Sequence, residues 1–260
     1  MGANNTRIIA VANEKGGVGK TVMVINLGAA LSLEGKKVLI VDMDPQFNAT
    51  KGLGVDVNEE TLTTYDLIKE RSDNAADAIL KTKWKGLDLI PSHVDLAGAE
   101  VELVDVVGRE NRLKEALEGI TGEYDFILID TPPSLSLLTV NVLTFANEVL
   151  VPCQTQPYSY SALDELFDTI FAIKEEINPD LKITGVVPTF FDRRTRISQS
   201  IMDRLKNDER CSSLLFDTVI RINTTIADSA DAGKPVVFYR KSSYGSSDHI
   251  ELARELLTRN

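Results

Sequence analysis

Residues 14–22 read EKGGVGKTV and follow the apolar run RIIAVA at 7–12. A phosphate-binding loop of the form Gly-x-x-x-x-Gly-Lys-Ser/Thr would end in Gly19, Lys20 and Thr21. Here Glu14 stands where the first glycine belongs, and a second lysine, Lys15, follows it. Gly16, Gly17 and Gly19, with Val18 among them, let backbone N–H groups turn inward around phosphate oxygens, and the start of the next helix adds the positive end of its dipole. Lys20 is then expected along the β and γ phosphates of a nucleotide, and the Thr21 hydroxyl on Mg2+. Two other apolar runs end in acids: Asp42 and Asp44 in VLIVDMDPQ, and Asp130 in FILIDTPPS. Asp42 and Asp44 are one residue apart and share a face, and an acid at a strand end beside a phosphate loop suits a carboxylate that holds Mg2+ through water.

The elements that must position these groups are short runs of Val, Ile and Leu at 7–12, 37–44, 87–92, 126–131, 148–153, 182–189 and 214–220. They are near-continuous rather than alternating, as in parallel strands buried on both faces. Helices are expected over 20–33, 61–70, 109–118, 159–177, 195–207 and 248–258, the last with Asp248 as its N-cap. Strand and helix alternate along the whole chain, which predicts one doubly wound α/β domain over 1–260. Its central sheet should be mostly parallel and flanked by helices, with ligands at the carboxyl ends of the strands. Segments 50–62 and 239–247 read as mobile loops.

Composition narrows the partners. With 28 Lys and Arg against 39 Asp and Glu, the 260-residue chain carries a formal charge of −11, so nucleic acid or an anionic membrane would need a local basic patch. The two cysteines, Cys153 and Cys211, have no metal-ligand spacing. No signal-peptide pattern and no run of about 18 apolar residues occurs, which points to a cytoplasmic protein.

The segments KGGVGKT, VDMDPQFNAT, LIDTPPS, DRRTR and GKPVVFY occur in the order and approximate spacing of the ParA/Soj group of deviant Walker ATPases, relatives of MinD and the nitrogenase iron protein. From about residue 7 to the C-terminus the chain resembles that family. The resemblance implies a P-loop NTPase that binds ATP and Mg2+, with residues 15–22 around the nucleotide. Lys15 would reach across a nucleotide-sandwich homodimer to the partner's phosphates, while Lys20 serves its own subunit. Asp44 would position the attacking water and, with Thr21 and Asp130, belong to the metal's surroundings; Asp42 would serve the loop's hydrogen bonding. Thr189 and Asp192 would border the adenine. In such relatives slow hydrolysis acts as a timer. The ATP dimer binds DNA without sequence preference at the nucleoid, and a ParB-like or cargo-adaptor partner stimulates turnover, so that DNA or a large complex is partitioned or positioned.

Three departures stand out. Phe47 replaces the usual glycine after DPQ, Val22 replaces a common second threonine, and Ile222 and Thr225 occupy positions where relatives often carry arginine. Candidate DNA contacts are therefore Arg193, Arg194, Arg196, Arg221, Arg240 and Lys241. A MinD-like membrane ATPase is the main alternative. However, the final helix places Ile250, Ala253 and Leu257 on one stripe among acids at 248, 251 and 255, which reads as core-packed. A small-molecule ligase or kinase of related fold would have no use for Lys15 in trans. A cluster carrier would need paired cysteines that Cys153 alone does not supply.

Overall fold

The computed structural model describes residues 6–70, 75–157 and 159–259. In chain order the elements are β1 (Arg7–Val11), α1 (Lys20–Leu33), β2 (Val38–Asp42), α2 (Asn48–Gly52), α3 (Thr64–Glu70), β3 (Leu80–Lys81), β4 (Leu87–Ile90), α4 (Leu96–Glu102), α5 (Arg112–Leu117), β5 (Phe126–Asp130), α6 (Leu137–Phe145), β6 (Glu148–Gln154), α7 (Ser161–Glu176), β7 (Lys182–Thr189), α8 (Arg196–Asn207), α9 (Thr224–Asp231), α10 (Val236–Tyr239) and α11 (Tyr244–Thr258). Seven strands form one sheet in the order β3-β4-β2-β5-β1-β6-β7. Every pairing is parallel except β3 with β4.

The continuous apolar runs have the expected cause. Ile9 and Val11 face one core with α1 and α11, whereas Ile8 and Ala10 face the other with α6 and α7, so successive residues of one strand serve opposite layers. The register sets Val11 beside Asp130, and Asp130 beside Asp42. The chain therefore leaves β1 beside Asp130, with Asp42 one strand further on.

Differences from expectation have local causes. Residues 214–220 do not join the sheet as a strand; they run along the outer edge of β7, bridging it at Val186 with Leu215 and meeting it again where the Ile220 amide donates to the Pro188 carbonyl at 2.8 Å. Pro188 has no N–H to donate, and the Asp217 and Thr218 amides donate instead to Glu255, at 3.0 and 2.9 Å. The final helix starts at Tyr244 with Ser243 as its N-cap, whose hydroxyl accepts from the Ser246 amide at 3.1 Å. Asp248 is not that cap: its buried carboxylate accepts the Arg221 amide and guanidinium. The first turn of α11 and α2 occupy parts of the segments expected as mobile loops. Leu252, Ala253 and Leu256 of α11 are buried in the layer with α1, with Ile250 and Leu257 packed at its margin. Among the described residues, no helix is long and apolar enough to cross a membrane.

Gly185 of β7 lets the outer segment approach. A Cβ there would stand 2.6 Å from the Leu214 carbonyl oxygen and would overlap the Phe216 ring. Gly185→Ala should destabilise the protein by about 2–3 kcal/mol, whereas Gly119→Ala, which meets nothing within 4 Å, should change it by less than about 0.5 kcal/mol. Urea unfolding midpoints check this, and equal midpoints for the two variants would contradict the packing described.

Candidate functional site

The loop between β1 and α1 is pinned from its start. Asn13 donates from Nδ2 to the Pro152 carbonyl at 2.8 Å and accepts the Lys15 amide on Oδ1 at 2.9 Å. Gln154 donates to the Gly17 carbonyl at 3.0 Å, and Thr189 to the Val18 carbonyl at 2.9 Å. The ends of β6 and β7 thus hold the loop's carbonyls outward. Gly17 and Gly19 have φ values of 73° and 95°, left-handed conformations that glycine adopts without penalty. Glu14 accepts a bond from Thr169 of α7 at 3.2 Å, so the residue in the first-glycine position is a tether to a neighbouring helix. Helix α1 begins with no side-chain cap and no acid in its first turn, which leaves its N–H groups for an external anion.

Both lysines are engaged within the chain. The buried Lys20 ammonium donates to the Asn13 carbonyl at 2.9 Å and the Lys15 carbonyl at 3.3 Å. Burial lowers its pKa, while Asp130 and Asp44 push the other way. The half-buried Lys15 donates to the Ser159 hydroxyl at 3.1 Å.

The carboxylates differ sharply. Both oxygens of Asp42 are used: Oδ2 accepts from the Thr50 amide at 2.8 Å and hydroxyl at 2.7 Å, and Oδ1 from the Asp44 amide at 3.2 Å. Burial outweighs those bonds and raises its pKa to about 6. Asp44 is nearly buried and binds the Gln46 amide through Oδ1 at 2.9 Å. Asp130 is wholly buried, and neither of its oxygens has a hydrogen-bond partner of ordinary geometry. Its pKa stands well above the ordinary carboxylate range, first because of burial and next because of Asp42; the nearby Thr21 hydroxyl and Lys20 partly offset this. An orphaned buried acid beside a threonine hydroxyl fits a hard cation. Among the described residues, three or more acidic or sulfur or imidazole ligands do not converge into a cage. That suits Mg2+, which keeps waters and phosphate oxygens in its shell.

An apolar cavity of about 270 Å3 lies beside Gly19, lined by Val22, Met23, Thr189, Phe190, Ile222 and His249 among others. Val22 thus has a place at the cavity wall. Thr189 lines it, whereas Asp192 does not: its carboxylate is forked by Arg194 at 2.9 and 2.8 Å. Phe190, with φ 51°, and His249 were not singled out in the sequence. A lone histidine and an aromatic pair after a strand carry no signal until the cavity is known. Phe47 also adopts a left-handed conformation, φ 46°, at the start of α2, where the Lys51 ammonium lies 3.7 Å from its ring centroid.

The basic candidates separate. Arg193, Arg194 and Arg196 are exposed at the start of α8 along an open groove, and Arg240 and Lys241 are exposed after α10. Arg221, partly exposed, is paired with the buried Asp248 and lies against the Tyr244 ring at 4.0 Å. Ile222 is exposed and Thr225 buried.

Because Asp130 has a raised folded pKa, stability linked to it is present at low pH and lost as pH rises through that value. In the nucleotide- and metal-free protein, Asp130→Asn should raise stability at neutral pH by about 1 kcal/mol and flatten the loss of stability with rising pH. Urea titrations across pH test it; a lower midpoint with an unchanged pH slope would contradict the charge balance described.

Comparison with known proteins agrees with this geometry. A family model described as an AAA domain matches residues 6–183. The chain is 42% identical over 250 residues to the sporulation initiation inhibitor protein Soj of Bacillus subtilis, covering 96% of this chain and 98% of that one. It is 41% identical to the chromosome partitioning protein ParA of Caulobacter vibrioides, covering 100% and 97%. A solved structure described as cobyrinic acid a,c-diamide synthase from Mycobacterium smegmatis, with bound ADP and magnesium, superposes with a TM-score of 0.82 at 36% identity, covering 97% and 94%. With its phosphate loop, strand-end acids and sheet order, the chain belongs to the ParA/MinD family of P-loop ATPases and resembles the Soj/ParA proteins along its full length.

Proposed function

We propose that this protein is a ParA-type positioning ATPase. It would dimerise on ATP, hydrolyse it slowly with Mg2+, and release its hold on DNA or a large cargo when a ParB-like or adaptor protein stimulates turnover. The observation that carries the reading is the buried, unpartnered Asp130 at the foot of a loop with two lysines. Lys20 would exchange its carbonyl partners for the β and γ phosphates of its own nucleotide, and Lys15 would leave Ser159 for the partner's. Thr21 would hold Mg2+ directly, with Asp130 and Asp44 behind it. Bound Mg2+ would neutralise charge on the β and γ oxygens. Asp44, with one oxygen not engaged by Gln46, would orient the attacking water. The apolar cavity at Val22, Thr189 and Phe190 would take the base.

Arg193, Arg196, Arg240 and Lys241 are the exposed cations available for nonspecific phosphate contacts. Arg194 would join them on leaving Asp192, and Arg221 would act as the internal partner of Asp248 instead. The similarity to a protein described as a diamide synthase favours a second reading, an ATP-dependent small-molecule ligase. Such an enzyme would turn over ATP only with its acceptor.

The test is ATPase activity with ATP alone, with nonspecific duplex DNA, and with DNA plus the product of the neighbouring gene. The expected result is a low basal rate stimulated most by DNA and partner together. Lys20→Ala should abolish nucleotide binding, and Asp44→Ala should lower turnover about 100-fold or more while nucleotide still binds. A normal rate in Asp44→Ala, or DNA and partner leaving the rate unchanged, would overturn the proposal.

A further inference from the structure

His249 lies in α11, is fully buried and lines the apolar cavity beside Gly19. Its Nδ1 is 2.7 Å from the Gly245 carbonyl oxygen. A carbonyl can only accept, so Nδ1 carries the proton and Nε2 is a bare acceptor. Nε2 is shielded from solvent and has no partner. Burial, the largest influence on this ring, lowers its pKa against the opposing effects of the Gly245 carbonyl and Asp248, and keeps the imidazole neutral near pH 7. A buried acceptor left unpaired is costly and calls for an explanation.

Three of the other polar side chains bordering the cavity are engaged. Thr189 donates to the Val18 carbonyl, Arg221 to Asp248, and Asn223 accepts the Thr225 amide on Oδ1. The remaining walls include Val22, Met23, Phe190 and Ile226, surfaces suited to the faces of a flat ring. A ligand entering this space meets apolar contacts on its faces and, in Nε2 of His249, a buried acceptor with no partner of its own.

We infer that His249 is a specificity-determining residue: its Nε2 accepts a hydrogen bond from the exocyclic 6-amino group of a purine held in the cavity, and so selects adenine over 6-oxopurines. The inference rests on the reading that the cavity takes the base of the bound nucleotide. A 6-oxo group would set one acceptor against another in a dry site, which is how a binding site built around a hydrogen bond rejects the wrong partner.

Competition binding to the full-length protein with Mg2+ tests this, using nonhydrolysable analogues of ATP and of inosine triphosphate. The wild type should prefer the adenine analogue by about tenfold or more. His249→Phe should bring the ratio close to one, and His249→Gln, whose amide oxygen can accept, should keep part of the preference. In the unmodified protein, the 15N resonance of His249 Nε2 should move on addition of ADP and stay near its free position with inosine diphosphate. This measurement does not depend on any variant folding. Equal affinity of the wild type for the two analogues would overturn the inference while leaving the site reading intact, as would a preference that survives in His249→Phe. That result would also arise if Nε2 served a ribose hydroxyl. Failure of the wild type to bind either analogue would overturn the site reading itself.

Discussion

Three carboxylates and a lysine are held in dry protein at the carboxyl edge of the sheet, and their unbalanced charge governs what surrounds them. Asp42 and Asp130 are register partners on β2 and β5, with Asp44 two residues on and Lys20 above. Thr50 and the Asp44 amide satisfy Asp42, whereas the nearby Thr21 hydroxyl and Lys20 only partly offset the burial of Asp130. A buried acid of that kind raises its own pKa and destabilises the empty state, a cost retained where a ligand recovers it.

The neighbouring structure is built around that deficit. Helix α1 keeps a bare N-terminus, and two left-handed glycines turn the loop's amides toward the same space. Side chains of Asn13, Gln154 and Thr189 tie the loop to the ends of β6 and β7. Asp42 is tied in turn to Thr50 of α2. Thr50 also accepts the Ser92 amide after β4, and Ser92 returns a bond to the Asp44 carbonyl. Phe47, held at a positive φ in the same turn, gives this segment a strained residue where a glycine would have none.

Much of this was legible in the sequence because it depends on spacing. The phosphate loop is local, and strands buried on both faces announce themselves as unbroken apolar runs. What escaped depends on tertiary choice. The run 214–220 looks like another such strand, but Pro188 and Glu255 divert its hydrogen bonds. LLTVNVLTF is as β-branched as its neighbours yet folds as α6, buried on nearly every side. Asp248 has the spacing of a helix cap and Arg221 the look of a nucleic-acid contact; each is the other's partner. Asp192 follows β7 closely enough to suggest the cavity, but Arg194 turns it away. Val22 was puzzling as a missing hydroxyl and becomes intelligible as an apolar wall, a meaning that exists only once β7, α9 and α11 close the cavity around it.

Under the proposed function, the deficit at Asp130 and the second lysine together would make a switch joining two copies of the chain. Sedimentation velocity on the wild type and on Lys15→Ala, each with Mg2+ and either ADP or a nonhydrolysable ATP analogue, tests it most directly. The expected result is a doubled mass only for the wild type with the triphosphate analogue, with Lys15→Ala remaining at the mass of one chain although it still binds nucleotide. A single-chain mass for the wild type under every condition, or a nucleotide-dependent dimer that survives in Lys15→Ala, would contradict it.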